Sequence, residues 1–287
     1  MMPADLAAQI AQGRRPRADY EALAEVFSAD LLDDAAVARA AGWVGRLLNR
    51  ALGPRLAMAW RCYLVRHDYD VIVSDGEQIG LPLAAMSWLD LGRRRPAHVM
   101  IAHVLSVPKK VWMIRLLRLR RRIDRTIVYS TAQRDFAVDR LHFAPNTVTL
   151  TSFMVDTTFF DPHRERGPYV QARPLICSAG LELRDYPTMI DAVHGLDADV
   201  VLAAASPWSK RRSGLDGVVL PANVRVVHLD LHQLRQLYAR CAVVVMPLVE
   251  SAFQAGGTTI LEAMAMGKAI VCARTAGQTD TIIDGVT

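Results

Sequence analysis

The stretch AVVVMPLVESAFQAGGTTILEAMAMGKAIVCA, residues 242–273, decides the fold. It opens with a β-branched apolar run, continues through a loop containing Gly256 and Gly257, and reaches a helical segment over 258–266. A second apolar run follows. The order strand, glycine loop, helix, strand places backbone N–H groups and a helix N-terminus at the carboxyl end of a parallel strand. The stretch therefore predicts a phosphate-binding site, with Glu262 in the first turn of the helix beside it.

Outside this stretch, short apolar runs alternate with helical patterns along the chain. The predicted strands are 29–32 (a weak signal), 71–73, 98–103, 126–129 and 147–150, then 175–179, 200–203, 224–227, 243–246 and 269–272. Short apolar strands separated by helices are typical of parallel sheets covered on both faces. The pattern predicts an α/β protein with two doubly wound, Rossmann-like domains that face a cleft.

A polar segment bracketed by Pro162 and Pro168 is the best candidate for a linker between the domains. We therefore predict a first domain over 1–160, a linker over 161–172 and a second domain over 173–287. The chain has 287 residues, so each domain is large enough for its own hydrophobic core.

The composition is that of a globular protein, with 52% hydrophobic residues and a net charge of +5. The positive charge suits an anionic substrate, an anionic membrane or a nucleic acid, and it does not choose among them. Neither a signal peptide nor a membrane-spanning segment is predicted. The four cysteines lie far apart in apolar surroundings, which favours buried thiols in a reducing cytoplasm.

Residues 254–271 resemble the donor-site segment of retaining glycosyltransferases of family 4, whose signature is Glu, seven residues, Glu, then Ala-Met-Ala-x-Gly. Those enzymes have the two-domain GT-B fold and use a nucleoside-diphosphate sugar as substrate, without a cofactor. The resemblance implies that one glutamate binds the donor ribose and that main-chain N–H groups hold its diphosphate. The implied donor-binding residues are Glu262 for the ribose and Gly256, Gly257, Thr258 and Thr259 for the diphosphate.

Further site residues are implied by the same resemblance. Gln254 occupies the place of the first glutamate, which contacts the donor sugar, and its amide can donate and accept hydrogen bonds without charge. Arg184 falls on the lysine that follows the first strand of the second domain, although it could instead pair with a neighbouring carboxylate. His103 matches a catalytic histidine, or it is a structural histidine at a strand end. Asp75 and Glu77 follow the preceding strand, and we expect them to meet the acceptor.

The resemblance also implies that the second domain is incomplete, because relatives continue with several more helices after the position of Thr287. Two Asp-x-Asp patterns, 68–70 and 197–199, lie before predicted strands and hence away from a doubly wound site. With no cluster of metal ligands in the sequence, no metal is predicted.

The basic segment 109–125 has helical length and mixes cationic with aliphatic residues. It fits a core-packed helix with a solvated basic face. It also fits an amphipathic surface that lies on an anionic membrane and brings a lipid-linked acceptor to the site. Nucleic acid is the weakest alternative, because no binding module accompanies the charge, and we predict no nucleic-acid partner. The predicted location is cytoplasmic, and the membrane alternative predicts a peripheral association at the inner face of the membrane.

These observations predict a retaining hexosyltransferase that moves a sugar from a nucleoside-diphosphate sugar to a hydroxyl of a glycan or lipid-linked acceptor. Two alternatives stay open. One is a sugar-nucleotide-binding protein with weak or no activity. The other is a sugar-nucleotide epimerase on the same fold, which would need an acid/base pair such as Glu77 with His103.

Overall fold

The structure is a computed structural model. It describes residues 6–33, 37, 49–50, 53–90, 95–165, 172–204, 215 and 217–286. The chain divides into two compact units: Tyr20–Ser152 forms the first, and Phe153–Thr287 together with Ala4–Asp19 forms the second. Both units are built on parallel sheets, which confirms the predicted α/β class.

Helices and strands alternate through both units. The helices are α1 (Leu6–Ala11), α2 (Asp19–Phe27), α3 (Pro54–Val65), α4 (Glu77–Met86), α5 (Pro108–Leu116), α6 (Thr131–Asp135), α7 (Tyr186–Val193), α8 (Leu231–Arg240) and α9 (Gly257–Ala265). The strands are β1 (Val71–Asp75), β2 (Ala97–Ala102), β3 (Arg125–Val128), β4 (Val148–Leu150), β5 (Leu175–Ala179), β6 (Asp199–Ala203), β7 (Val224–Val226), β8 (Val243–Met246) and β9 (Ala269–Cys272).

The sheet of the first unit has the strand order β1-β2-β3-β4, with every neighbouring pair parallel. Its core is a cluster of aliphatic side chains from the sheet and from α4 and α5, including Leu81, Met100, Ile114 and Val128. The carboxyl ends of β1, β2 and β3 therefore lie side by side, and the loops that follow them form one edge of the unit.

The sheet of the second unit has the strand order β7-β6-β5-β8-β9, again all parallel. The chain leaves β5 toward β6 on one side and returns to β8 on the other, so the strand order reverses between β5 and β8. Loops that follow two such strands separate and leave a crevice at their carboxyl ends, where open α/β sheets bind ligands.

The division between the units differs from the predicted domains. Phe159 and Phe160, predicted at the end of the first domain, pack into the core of the second unit with Tyr238. The N-terminal segment joins the second unit through two hydrogen bonds. Arg235 donates to the carbonyl of Gly13 (3.2 Å), and the N–H of Arg17 donates to the Asp156 carboxylate (2.8 Å). Part of the predicted linker, residues 166–171, lies outside the described residues.

Two other local predictions are corrected. Residues 29–32 are irregular and largely exposed rather than a strand, and Asp30 accepts a hydrogen bond from the Tyr69 hydroxyl at 2.8 Å. The basic segment is not one helix: α5 ends at Leu116, and Arg118 then adopts a left-handed conformation with φ 50°. Within the described ranges, no helix is long and apolar enough to span a bilayer.

Candidate functional site: the carboxyl edge of each sheet

The loops after β5 and β8 are joined to each other at the reversal point of the second sheet. The N–H of Asp185 donates to the carbonyl of Pro247 (2.8 Å), and the N–H of Val249 donates to the carbonyl of Leu183 (3.0 Å). An antiparallel bridge pairs Arg184 with Leu248 between these bonds. The backbone at Arg184 is therefore held in a fixed position beside the crevice.

The Arg184 side chain turns back over the end of β5. Its Nε donates to the carbonyl of Ala179 (2.9 Å) and its Nη1 to the carbonyl of Glu182 (2.7 Å), while Nη2 lies 3.5 Å from the Oγ1 of Thr259. Gly180 leaves room for it, since a Cβ there would lie 2.6 Å from Nη2. Burial lowers the pKa of Arg184, but a guanidinium stays charged at neutral pH. Among the described residues, no carboxylate forms an ion pair with it.

The N-terminus of α9 begins next to this guanidinium. Gly256 precedes the helix with φ 75°, and a Cβ there would lie 2.3 Å from Cε of Met246 and 3.0 Å from Nη2 of Arg184. The first N–H that bonds within the helix belongs to Ile260, which donates to the carbonyl of Gly256 (3.0 Å). The N–H groups before it have no intrahelical acceptor, as at any helix start, and no side chain in the described part of the chain caps them.

This geometry brings the predicted diphosphate residues together. Arg184 contributes a full positive charge, and Gly257, Thr258 and Thr259 contribute N–H groups at the positive end of the α9 dipole. Donors of both kinds stabilise anions, and phosphate groups above all. Arg184 does not pair with Asp185 or Glu182 through its side chain, as the surface alternative required; it donates to main-chain carbonyls instead.

Glu262 lies in the second turn of α9, not in the first as predicted, because the helix begins at Gly257. Its side chain is only 5% exposed, and its Oε2 accepts a hydrogen bond from the hydroxyl of Tyr238 on α8 at 3.0 Å. Burial raises the pKa of Glu262 to about 7, while the Tyr238 hydroxyl and the charge of Arg184 oppose the rise. Burial also raises the pKa of Tyr238 well above its usual value. The ribose role of Glu262 stays a prediction.

Gln254 lies in the loop before α9. Its Nε2 donates to Oγ1 of Thr281 (2.9 Å), and its side chain passes close to Gly257. A second hydrogen bond holds the backbone of the same loop: Nε2 of Gln278 donates to the carbonyl of Ala255 at 2.5 Å. The glutamine amide is therefore oriented by a residue near the end of the described chain.

Sequence reasoning missed three residues that shape this site: Tyr238, Gln278 and Gly277. A Cβ on Gly277 would lie 2.2 Å from the carbonyl oxygen of Phe253, so this segment packs directly against the loop before α9. The close approach explains why a glycine stands there, but glycine in a polar stretch is also common in ordinary turns. Tyr238 resembled any apolar residue of an amphipathic helix, so the sequence held no signal for its bond to Glu262.

In the first unit, His103 and Asp75 meet at the edge where β1 and β2 end. Nε2 of His103 lies 2.9 Å from Oδ1 of Asp75, and both side chains are exposed. The imidazole also lies beside the Tyr129 ring, with 5.6 Å between the ring centroids. A histidine oriented by a carboxylate at an exposed strand end can hold or accept a proton, which a structural histidine need not do.

Glu77 is placed differently from Asp75. Its side chain is 3% exposed, its Oε1 accepts the N–H of Val104 (2.5 Å), and its Oε2 lies 3.3 Å from Nζ of Lys110. Lys110 in turn donates to the carbonyl of Val104 at 2.8 Å. The main-chain N–H and carbonyl of Val104, the residue after His103, are thus held by the Glu77–Lys110 ion pair. The structure pairs His103 with Asp75 rather than with Glu77.

The Asp-x-Asp patterns lie at the opposite edges of the sheets. Asp68 belongs to a short turn before β1, whereas Asp197 and Asp199 lie near Arg173 at 2.7 and 3.8 Å. Within the described residues, no group of three or more His, Cys, Asp or Glu side chains is arranged to hold a metal ion.

Comparison with known proteins gives a family-model match for part of the chain and a similar fold for most of it. Residues 183–287 match the family model described as glycosyl transferases group 1. A glycosyltransferase from Rickettsia africae has a similar structure, with a TM-score of 0.55 and 11% identity over 91% of this chain and 70% of that one. The comparison with curated proteins gave no significant match.

Two further solved structures align less well. For the glycosyltransferase SnogD from Streptomyces nogalater the TM-score is 0.33, with 16% identity over 84% of this chain and 67% of that one. For a UDP-N-acetylglucosamine 2-epimerase the TM-score is 0.41, with 12% identity over 85% of this chain and 62% of that one. Neither likeness is close enough to support an argument about this chain.

The matched segment begins at Leu183 and contains Arg184, the glycine loop and Glu262. The fold of the Rickettsia enzyme covers both units. The chain therefore has a GT-B-type glycosyltransferase fold, with the group 1 glycosyltransferase match in residues 183–287.

Proposed function

We propose that this protein transfers a sugar, with retention of configuration, from a nucleoside-diphosphate sugar to an acceptor hydroxyl. The general activity rests on the family match and the fold. The donor rests on the arrangement at the end of β5: a half-buried arginine without a carboxylate ion-pair partner among the described residues, next to the N-terminus of α9. The proposal depends on this single arrangement, because a diphosphate supplies the negative charge that Arg184 and the N–H groups at the start of α9 can bind.

In the proposed reaction, the bond between the anomeric carbon and the diphosphate oxygen breaks while the acceptor oxygen bonds to the same carbon. The acceptor proton passes to the departing diphosphate. Arg184 and the N–H groups of Gly257, Thr258 and Thr259 stabilise the charge that develops on the diphosphate. Retention is consistent with attack from the face that the diphosphate leaves, and the proposal takes it from the resemblance to family 4.

For the first unit, we propose that the acceptor binds near His103 and Asp75. The imidazole would hold the acceptor hydroxyl by a hydrogen bond, and Asp75 would orient the ring. Glu77 would act on the acceptor only indirectly, since its carboxylate holds the N–H of Val104 and the ammonium group of Lys110. It positions the loop that begins with His103.

Donor binding is tested by calorimetry with uridine, guanosine and adenosine diphosphates. One of them is expected to bind, and Arg184→Gln should weaken that binding roughly 10- to 100-fold, the worth of one or two lost charge-assisted hydrogen bonds. Arg173→Gln is the matched control: it removes the same charge from the same unit, at the amino edge of the sheet beside Asp197. Equal losses in both variants, or no binding of any nucleotide, would contradict the proposal.

A second candidate, a nucleotide-sugar binder without turnover, is favoured by Gln254. Its amide is engaged by Thr281 and brings no charge to the donor sugar. A donor-hydrolysis and transfer assay distinguishes the two functions, because the binder would bind the donor and release no nucleotide. For the epimerase alternative, Glu77 and His103 would have to act together, and Glu77 is engaged by Val104 and Lys110 instead.

A further inference from the structure

An apolar surface of the first unit is exposed to solvent around the end of α5. It consists of Trp112, Leu116 and Leu117, together with Trp88 and Leu89 of the turn after α4. Trp112 is 66% exposed, Leu116 58% and Leu89 68%. The two parts touch, since Nε1 of Trp88 donates to the carbonyl of Leu117 at 3.0 Å. We call these five residues the α5 surface.

Packing against the core does not account for the α5 surface. Ile114 is fully buried and Val111 packs beside it, so they form the inward side of the helix. Trp112 is two residues from Ile114, which is about 200° around a helix, and Leu116 lies one turn further on the same side as Trp112. The helix therefore carries apolar side chains on two opposite sides, of which one packs into the core and the other is exposed.

Cationic residues flank the α5 surface along the chain. Lys109, Arg118 and Arg121 are exposed, and the guanidinium of Arg122 stacks on the Trp88 ring at 4.0 Å. The acidic residue of the segment, Asp124, is already bound by Arg95 at 2.6 and 2.9 Å. Lys110 is not part of this charge, because its ammonium group faces Glu77.

We propose that the α5 surface docks this protein onto an anionic lipid bilayer. Tryptophan and leucine side chains enter the boundary between headgroups and acyl chains, while lysine and arginine attract the anionic headgroups. α5 has nine residues, far fewer than a bilayer span requires, so the helix would lie along the interface. Exposed leucines beside the charge favour lipid over nucleic acid, whose phosphates would need only the cations. This interaction goes beyond sugar transfer and does not depend on it.

The proposal is tested by sedimentation of the full chain with vesicles of phosphatidylcholine alone and with added phosphatidylglycerol. Binding is expected to the anionic vesicles and to weaken as salt increases. The triple variant Lys109→Glu/Arg118→Glu/Arg121→Glu should lower the partition coefficient by about a hundredfold or more. Its control is Arg14→Glu/Arg225→Glu/Arg274→Glu, which makes the same charge change at exposed positions of the second unit and should retain most of the binding.

The apolar contribution is tested separately with Trp112→Ser, which should weaken binding several-fold even at salt concentrations that suppress the charge effect. Val219→Ser is its control, since Val219 is a strongly exposed apolar residue far from α5 in the chain. Thermal melts and nucleotide binding verify that the variants fold. The proposal is overturned if the unmodified protein ignores anionic vesicles, if both triple variants lose binding equally, or if Trp112→Ser changes nothing. Binding to an oligonucleotide in preference to the vesicles would also overturn it.

Discussion

The buried carboxyl group of Glu262 makes stability depend on pH in a way that Glu262→Gln should remove. Burial raises its pKa from 4.5 to about 7 in the folded protein. Between these two values the folded state binds more protons than the unfolded state, so this group's contribution to stability falls as pH rises. Ionisation at high pH would leave a carboxylate in the core, stabilised by the Tyr238 hydroxyl and by the charge of the nearby Arg184.

The size of the effect follows from the pKa shift. Between pH 5 and pH 8, the free energy of unfolding should fall by about 2 to 3 kcal/mol more for the unmodified protein than for Glu262→Gln. A glutamine is neutral at both pH values, and its carbonyl oxygen can still accept the hydrogen bond from Tyr238. Comparison with the variant cancels the titration of all other groups.

The assay is urea unfolding followed by far-ultraviolet circular dichroism, with both proteins measured at pH 5, 6, 7 and 8. The free energy of unfolding of Glu262→Gln, relative to that of the unmodified protein, should increase steadily from pH 5 to pH 8. A stability difference that is the same at every pH would refute the reasoning, since it would mean that Glu262 is ionised throughout and that its environment is not the dry one described here.

Three other substitutions test particular contacts. Gly256→Ala forces a side chain into a left-handed conformation next to Met246 and Arg184, and should cost about 1 to 2 kcal/mol of stability and weaken nucleotide binding, as urea unfolding and calorimetry would show. His103→Gln should lower kcat and leave the nucleotide Kd unchanged; a change in Kd alone would remove His103 from the acceptor side. Asp230→Ala removes the capping box of α8 and should cost about 1 kcal/mol, and no loss in urea unfolding would mean that the cap is dispensable.

The order of strands and helices could be predicted from the sequence because local patterns specify it. The strands 175–179, 243–246 and 269–272 were predicted with the bounds that the structure shows. The glycine loop and the helix that follows it also lie close to their predicted positions. These segments have strong apolar periodicity and clear ends, and such signals depend only on neighbours in the chain.

The weak signals were less informative. Residues 29–32 contain two adjacent leucines, which is too little to specify a strand that must also find a neighbour. The helix expected along 109–125 ends early, because the left-handed turn at Arg118 is a conformation that a chain of good helix formers does not reveal.

Contacts between distant residues were beyond the sequence. Glu77 meets Lys110, and Glu262 meets Tyr238, only because sheet order brings their helices together. The same holds for Gln254, whose amide is oriented by Thr281. Residue type and position predicted which side chains lie at the carboxyl edges of the sheets. They did not predict which of those side chains are exposed for chemistry and which hold the backbone in place.

The most direct measurement of the central claim is nuclear magnetic resonance of the main-chain amides of Gly257, Thr258 and Thr259 during titration with the nucleoside diphosphate that binds. The account predicts that these amide signals move together and saturate at the calorimetric Kd, and that Arg184→Gln reduces the response. Saturable binding that leaves these three signals unmoved, while others shift elsewhere in the chain, would contradict it.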